Sequence, residues 1–514
     1  MTSELQQSHT KEEILSVLNN IDCAVVATAS GVDIRSRMMH YWSDENLNVY
    51  LATMKGDPKT LQITHNPSIS LLISKRTGGV NDSSEVEVTG RAFLVKEGDE
   101  KNRAFKSLAE KSPVVKYLND TGNLGVLDCV KVVPTVVKYR VFNEIVQGLP
   151  PTVLEFAQNR VAESEFPKLG HKLKLWGLEL RGAFFTATIV SILLGTSIAW
   201  VRNGAFDFTF FLLTLLGGLC LHAGTNVIND YFDYTSGNDE VNREFVRPFS
   251  GGSRMIQLGL MTPLEVLSEA LLLYALGISI GLYLTWTVGP VVLLLGLIGL
   301  ISGFFYVAPH VNWAGRGVGE LLIGLNFGML LTAGSFYVQT RILATEPLIA
   351  SIPVSLLIAA VVYINEFPDY AADKAVGKNT LVVRLGRGKA AYGYAAIMLG
   401  TYVVVAIGVL IRILPVYTLL GLATLPLALK AIRYALKHHS SSFELIPANV
   451  STIICHLSTG LLLSLGYLVE GFGTENLAYA ILIGAVYALF TVNAYKGMER
   501  QKNIFLGLKK TMQT

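Results

Sequence analysis

Two acidic segments carry the residue types and spacing for chemistry on a metal-bound anion. The first runs Asn226-Val-Ile-Asn229-Asp230-Tyr-Phe-Asp233-Tyr-Thr-Ser-Gly-Asn-Asp239, the second Asn365-Glu366-Phe-Pro-Asp369-Tyr-Ala-Ala-Asp373. On a helix Asn226, Asp230 and Asp233 fall at i, i+4 and i+7 and share one face, as Asn365, Asp369 and Asp373 also do. Carboxylates gathered on facing helices repel one another unless cations lie between them. Magnesium suits such a place, because it takes oxygen ligands, keeps several waters and is held by a few carboxylates plus phosphate. Asp230, Asp233, Asp369 and Asp373 are therefore the candidate metal ligands, and with Asp239 the candidate catalytic acids. A solvated helix end explains one such Asp, not two similar one-faced clusters.

Complementary charge follows each cluster. After the first come Arg243 and Arg247-Pro-Phe-Ser-Gly-Gly-Ser-Arg254; after the second comes Lys374-Ala-Val-Gly-Lys378. Between them lie Tyr306-Val-Ala-Pro309 and Gly315-Arg316-Gly-Val-Gly-Glu320. Glycines let backbone approach an anion, and Lys and Arg neutralise it. Acid, metal and base together compose a diphosphate site. Asn226, Asn229, Arg243, Arg247, Arg254, Tyr306, Arg316, Asn365, Lys374 and Lys378 are its candidate substrate-binding residues.

The elements that must position these residues are membrane helices. Of 514 residues 51% are hydrophobic and only 16% charged, against roughly 25% charged in an ordinary soluble protein. Residues 1–175 read as soluble. Beyond them lie ten apolar windows near the roughly 20 residues that a bilayer-crossing helix needs: 182–201, 208–229, 270–288, 290–309, 319–339, 347–366, 390–411, 413–429, 450–469 and 477–495. With the amino terminus inside, the inner connections hold Arg243, Arg247, Arg254, Arg316, Lys374, Lys378, Arg384, Arg387, Lys389, Lys430, Arg433 and Lys437, and the tail adds Lys496, Arg500, Lys502, Lys509 and Lys510. The outer connections hold Arg202, Arg341 and Arg412. This asymmetry predicts an integral membrane protein with both termini cytoplasmic. The polar amino terminus lacks an apolar signal segment, so export is not expected. A net charge of +3 is too small to argue for nucleic acid, and none is expected as a partner. Cys23, Cys129, Cys220 and Cys455 lie far apart and signal no disulfide framework or zinc site.

These motifs resemble the UbiA superfamily of intramembrane prenyltransferases over about 180–470. Asp239 follows Asp233 by six residues, and that spacing, with Asn-Asp-Tyr-Phe-Asp and the Gly-Gly-Ser-Arg loop, is similar to the menaquinone branch, which prenylates 1,4-dihydroxy-2-naphthoate. The resemblance implies nine helices, leaving 477–495 extra. It implies a polyprenyl diphosphate and an aromatic acceptor as partners in the bilayer, with magnesium stabilising the leaving diphosphate. Tyr231, Tyr306 and Tyr370 are candidates to steady a carbocation. Asp239 or Asp373, if not fully engaged with metal, could take the acceptor's proton. Other acceptors stay open, namely 4-hydroxybenzoate, homogentisate or a glycerol lipid. Readings of a different class are a membrane-anchored flavin sensor or a transporter, although acids gathered at one membrane face favour catalysis on a diphosphate.

Residues 11–147 alternate like an antiparallel sheet, through 24–29, 34–41, 47–51, 69–73 and 86–91, with a helix from Pro58 to His65. The order resembles the pyridoxamine-phosphate-oxidase-like split barrel that binds flavin. Carried over are Arg35, Arg37 and Met38; Thr53 and Lys55; Lys59 and Thr60; and Val88-Thr-Gly-Arg91. The resemblance implies an FMN phosphate site, with FAD, deazaflavin, haem or no ligand as alternatives, and a dimer through the barrel. The fold class is thus multi-domain: an α+β split β-barrel at 1–147, a linker and membrane-interface anchor at 148–175, and an all-α polytopic helix bundle at 176–514. The linker is expected to form a short helix through Arg160. Its end, His171-Lys-Leu-Lys-Leu-Trp176, reads as a headgroup anchor.

Overall fold

Alternating burial along the front of the chain closes a six-strand antiparallel barrel. The strands are β1 (Cys23–Ser30), β2 (Asp33–Ser43), β3 (Val49–Met54), β4 (Ser68–Lys75), β5 (Ser84–Leu94) and β6 (Leu127–Val141). They run in the order β3-β2-β1-β4-β5-β6, and β3 pairs with β6 to close the ring. A seventh strand, β7 (Thr152–Glu155), pairs with β6. Thus the linker begins as a strand at 152–155, not as the expected helix. The fold is that of a computed structural model describing residues 9–30, 33–75, 83–156, 169–237, 252–308, 311–442 and 444–472, with 485 and 496. These fall into two compact units, one holding the described residues through Lys172 with Leu258–Leu260 and residue 496, the other those of Leu173–Gln257 and Met261–Ala494.

In the barrel unit Val26, Tyr41, Leu51, Leu71, Val86, Val88 and Val132 fill the interior, because period-two alternation sends every second side chain inward. The longest strand, β6, was not singled out from sequence. Pro134 interrupts it opposite a register shift between Thr89 and Gly90. A Cβ at Gly90 would lie 2.2 Å from the Val133 carbonyl oxygen, so only glycine fits there. Helix α1 (Lys11–Asn19) starts at a capping box between Thr10 and Glu13. Helix α2 (Pro58–His65) starts with Pro58 behind the Asp57 cap. The remaining barrel-unit helices are α3 (Asp99–Lys111), α4 (Pro113–Asp120) and α5 (Phe142–Val146).

The second unit begins with α6 (Leu169–Glu179) and α7 (Thr186–Asn203). Then come α8 (Phe208–Thr235), α9 (Pro263–Val288), α10 (Val291–Val307), α11 (Gly319–Thr340) and α12 (Thr345–Ala375), followed by a short α13 (Leu381–Leu385), α14 (Arg387–Leu410), α15 (Val416–His438) and α16 (Ile446–Phe472). Seven of them, α8, α9, α11, α12, α14, α15 and α16, are long and apolar enough to cross a membrane. Among the other expected windows, 182–201 corresponds to α7 and 290–309 to the shorter apolar α10. The window 477–495 lies outside the described residues.

Two prolines, Pro353 and Pro368, sit inside α12. A proline has no N–H to give the carbonyl four residues earlier, which for Pro368 is that of Ile364. Asn449 on α16 replaces the missing donor: its Nδ2 donates to the Ile364 carbonyl at 3.3 Å and to Asn365 Oδ1 at 2.7 Å. The second acidic motif is thereby tied to α16 where its helix is weakest.

Candidate active site

The cytoplasm-facing expectation for the two motifs rests on charge; their mutual placement rests on α8 and α12. Asn226, Asn229 and Asp233 from the end of α8, and Asn365, Glu366, Asp369 and Asp373 from the end of α12, line one cavity of about 210 Å³. Lys378 clasps the two sets, with Nζ 3.8 Å from Asp233 Oδ1 and 3.8 Å from Asp373 Oδ1. Burial acts to lower the pKa of this ammonium, but Asp233 and Asp373 outweigh it and hold the pKa above the ordinary lysine value. The loop carrying Lys378 is fastened at several points. Lys378 N donates to the Asp373 carbonyl at 2.8 Å, Asn379 N to the Gly315 carbonyl at 2.9 Å, and Leu381 N to Glu320 Oε1 at 3.0 Å.

Other motif residues fall in different places. Asn229 Nδ2 donates to Asp233 Oδ2 at 3.2 Å, and Asn226 Nδ2 to the Leu180 carbonyl at 3.1 Å. Asp230, expected to share the Asp233 face as a metal ligand, does not line the cavity. It is only 4% exposed; Ser253 N donates to its Oδ2 at 3.0 Å, and the Arg181 guanidinium lies 3.7 Å from its Oδ1. Gly252, at φ +67°, makes this packing possible, since a Cβ there would lie 2.5 Å from Asp230 Oδ1. Thus α8 presents Asn229 rather than Asp230 beside Asp233. Tyr306 lines the cavity, whereas Tyr231 and Tyr370 do not. Tyr370 instead lies beneath the Arg387 guanidinium at 5.0 Å and the Lys374 ammonium at 5.8 Å. Lys374 and Arg316 are exposed and, like Arg254, are not cavity-lining residues. Asp239, Arg243 and Arg247 lie outside the described residues.

Sequence reasoning missed Arg181 and Glu179, which lie between the expected interfacial anchor and the first expected span and were not singled out. Glu179 is fully buried and bonds to the Ser253 hydroxyl. Burial, with Asp230 nearby, pushes its carboxyl well above the ordinary range. Away from the acids the cavity turns apolar, walled by Ile323, Phe327, Ile358, Val361, Val362 and Ile453, with His222 and His456 among them. The His222 imidazole is held by the Thr188 hydroxyl at 2.9 Å. The chamber therefore has one end for an anion with its counter-charges and another for hydrocarbon.

The sequence carries the same assignment. Residues 188–453, just over half of the chain, match the UbiA prenyltransferase family. The chain belongs to that family. Among curated relatives, the UbiA-type region is 28% identical over 304 residues to the 2-carboxy-1,4-naphthoquinone phytyltransferase of Synechocystis sp., covering 58% of this chain and 95% of the relative. It is also 28% identical over 298 residues to the 1,4-dihydroxy-2-naphthoate octaprenyltransferase of Bacillus subtilis, covering 58% and 93%. As a UbiA family member with such relatives, the protein is a prenyl-transferring enzyme. At the front of the chain, a Listeria innocua structure described as a pyridoxamine 5'-phosphate oxidase is 23% identical and covers 26% of this chain and 98% of its own, with a TM-score of 0.21.

The donor chemistry of the UbiA-type site suits magnesium. Among the described residues no three His, Cys, Asp or Glu side chains group closely enough to hold a metal ion by themselves. Magnesium does not need such a cage; one or two carboxylates with substrate phosphate suffice. The oxygen donors of Asp233, Asp369 and Asp373, all opening on one cavity, fit that mode.

In the barrel, several groups singled out for a phosphate bond to one another. Lys59 Nζ donates to Thr53 Oγ1 at 2.8 Å and pairs with Asp57 Oδ2 at 2.8 Å, while the Thr60 hydroxyl donates to the Asp57 carbonyl at 2.7 Å. Arg37 donates to the Thr28 hydroxyl and to the Arg35 carbonyl. Lys55 Nζ lies 4.0 Å from Glu97, and Met38 is 67% exposed. The structure thus brings Thr53 and Lys59 together and leaves Met38 on the outer surface.

Proposed function

We propose that the protein transfers a polyprenyl group from an allylic diphosphate to an aromatic acceptor of the 1,4-dihydroxy-2-naphthoate type, with magnesium, in the manner of the menaquinone branch. The reading rests on one observation above all: Lys378 stands between Asp233 and Asp373 at the charged end of a chamber whose other end is apolar. The names of the naphthoate and naphthoquinone relatives support the acceptor. Asp233, Asp369 and Asp373 would hold the metal together with the diphosphate, and Asp230 would brace them from behind through Arg181 and the Gly252–Ser253 backbone. The bound magnesium supplies positive charge against the leaving diphosphate. Lys378 adds a fixed cation at the same end, and the apolar walls exclude water from the allylic carbon.

The charged end is assigned to the cytoplasmic side, with both termini there, because Lys and Arg crowd the connections on that side. The barrel is proposed to take a flavin phosphate at Arg37, Thr53, Lys59 and Thr60, with Lys59 exchanging Asp57 for the phosphate. It is also proposed to pair with a second copy through the in-register exposed row Met38, Val25 and Leu72.

The deciding experiment is an assay of the full chain in membranes with a labelled allylic diphosphate, with and without magnesium. The acceptor panel is 1,4-dihydroxy-2-naphthoate, 4-hydroxybenzoate, homogentisate and a glycerol phosphate lipid. Prenylation of the naphthoate that requires magnesium, and that Asp233→Ala and Asp369→Ala each abolish, is the expected result. Activity retained in both variants overturns the site; transfer to another acceptor overturns the naphthoate assignment. Flavin absorbance in the purified chain checks the barrel.

A further inference from the structure

A hydrocarbon tail and an aromatic acceptor place different demands on the apolar end of the chamber. An isoprenoid chain has no hydrogen-bonding atom, so a polar group in a wall built for it alone would go unpaired at a cost. Yet two imidazoles stand in that wall, His222 of α8 and His456 of α16. Ionisable side chains inside membrane spans are expensive and mark functional positions. On α8 the cavity-lining residues form one stripe: Asp233, Asn229, Asn226, Thr225 and His222. His222 therefore lies about three helical turns, roughly 16 Å, from the level of Asp233.

The His222 ring is held from several sides. Its Nδ1 lies 2.9 Å from the hydroxyl of Thr188, a fully buried residue outside the cavity lining. Phe327 of α11 lies against the ring, 4.3 Å between centroids, and Phe185 meets it edge-on at 5.4 Å. Phe327 is itself fixed. Residues Leu325–Leu330 of α11 form a π-helical turn, a rare widening often found at functional sites. Its neighbours there are pinned to other helices: Asn326 Nδ2 donates to Ser302 Oγ of α10 at 2.7 Å, and Gly328 packs on Ser355 of α12 too closely for a Cβ. The second nitrogen of the held imidazole, His222 Nε2, bonds to none of the described residues. Nor does His456 Nε2, which is buried.

We propose that His222, positioned by Thr188, accepts a hydrogen bond from a ring hydroxyl of the aromatic acceptor, and so selects a hydroxylated ring. The inference rests on the prenyl-transfer reading. With its proton on Nδ1, donated to Thr188 Oγ1, the imidazole presents the Nε2 lone pair to a phenolic O–H. An acceptor without that hydroxyl leaves the nitrogen unmet in an apolar wall, which is how a site built around a hydrogen bond rejects an analogue. Phe327 adds an aromatic face beside the imidazole, against which a ring can pack. Thr188 is a positioning residue that fixes the orientation and tautomer of His222.

The test uses the full chain in membranes with the labelled allylic diphosphate and 1,4-dihydroxy-2-naphthoate, the wild type measured first. If the wild type prenylates no acceptor, the functional reading fails before any variant is compared. With an active wild type, His222→Phe raises the KM for the naphthoate roughly 10- to 100-fold, as expected for one lost buried hydrogen bond, while the KM for the allylic diphosphate stays near the wild-type value. Competition by 1-hydroxy-2-naphthoate and 4-hydroxy-2-naphthoate, each lacking one hydroxyl, then locates the bond. The analogue without the bonded hydroxyl has the same inhibition constant against wild type and His222→Phe, whereas the other weakens as the naphthoate does. An unchanged KM for the naphthoate, a rise confined to the allylic diphosphate, or the same response from both analogues overturns the proposal. If His222→Phe does not accumulate in the membrane, Thr188→Val decides alone: a smaller rise in the same KM with the same analogue pattern is expected, and an unchanged KM for the naphthoate overturns the assignment.

Discussion

Lys378 shows how a single residue can combine two distant motifs. Its neighbours in sequence mark it as one basic residue among many, yet its ammonium lies equally far from Asp233 and Asp373. Replacing it with Met leaves two acid groups facing each other with no cation between them. Lys378→Met is expected to lower kcat/KM on the order of 10²-fold, a loss typical of removing one transition-state charge partner, as read by product formation across magnesium concentrations. At this scale the sequence was legible where helical spacing alone decides: Asp369 and Asp373 reach the cavity as their i, i+4 spacing requires. It was not legible for Asp230, whose direction depends on a glycine with positive φ twenty-two residues later. Nor was it legible for Glu366, which appears within the quoted motif but off the face that the spacing selects.

Helix α12 holds its acids beyond an internal proline, and Asn449 supplies the donor that Pro368 lacks. Asn449→Leu leaves the Ile364 carbonyl buried without that bond and frees Asn365. A loss of roughly 1–3 kcal/mol is expected for an unmet buried polar group, seen as a lower Tm in detergent together with reduced prenyl transfer. In the barrel unit, the start of α1 is held by His9, whose ring nitrogens lie 2.8 Å from Glu144 and 3.0 Å from Glu13. Burial works against the charged ring, but the two glutamates prevail and raise its pKa above 6.5. The resulting stabilisation is fully present below pH 6.5 and is lost as pH rises through the higher folded value. Hydrogen-exchange protection of residues 11–19 should therefore fall across that window, and His9→Gln should remove the dependence, with about 0.5–1 kcal/mol at stake. Seven long apolar helices and most barrel strands were readable from the sequence. Strand β6 was not, because Pro134 breaks its pattern and its tolerance there depends on the bulge at Gly90 in another strand.

For the whole molecule, the composition break near residue 175 was the most legible feature, and the two compact units divide close to it. The outer surface of the second unit keeps that character: Leu271, Leu282, Trp286, Leu294, Ile298 and Leu410 are all exposed. An apolar exterior on this scale belongs in lipid. Removing detergent from the purified chain is expected to drive it into aggregates, which sedimentation would detect, and reconstitution into vesicles should prevent this. What composition could not convey is the meeting of α8 and α12, since about 130 residues separate the two acid motifs.

The Lys378 clasp also sets a rule for loading. A divalent cation arriving alone meets carboxylates that already have a positive partner, and inorganic diphosphate arriving alone meets a ring of negative charge. Each guest removes the obstacle to the other, so the two should bind cooperatively, by a factor that is the same whichever is added first. Calorimetric titration of inorganic diphosphate at several magnesium concentrations would measure that factor, and in Lys378→Met it should shrink as the acids lose their resident cation.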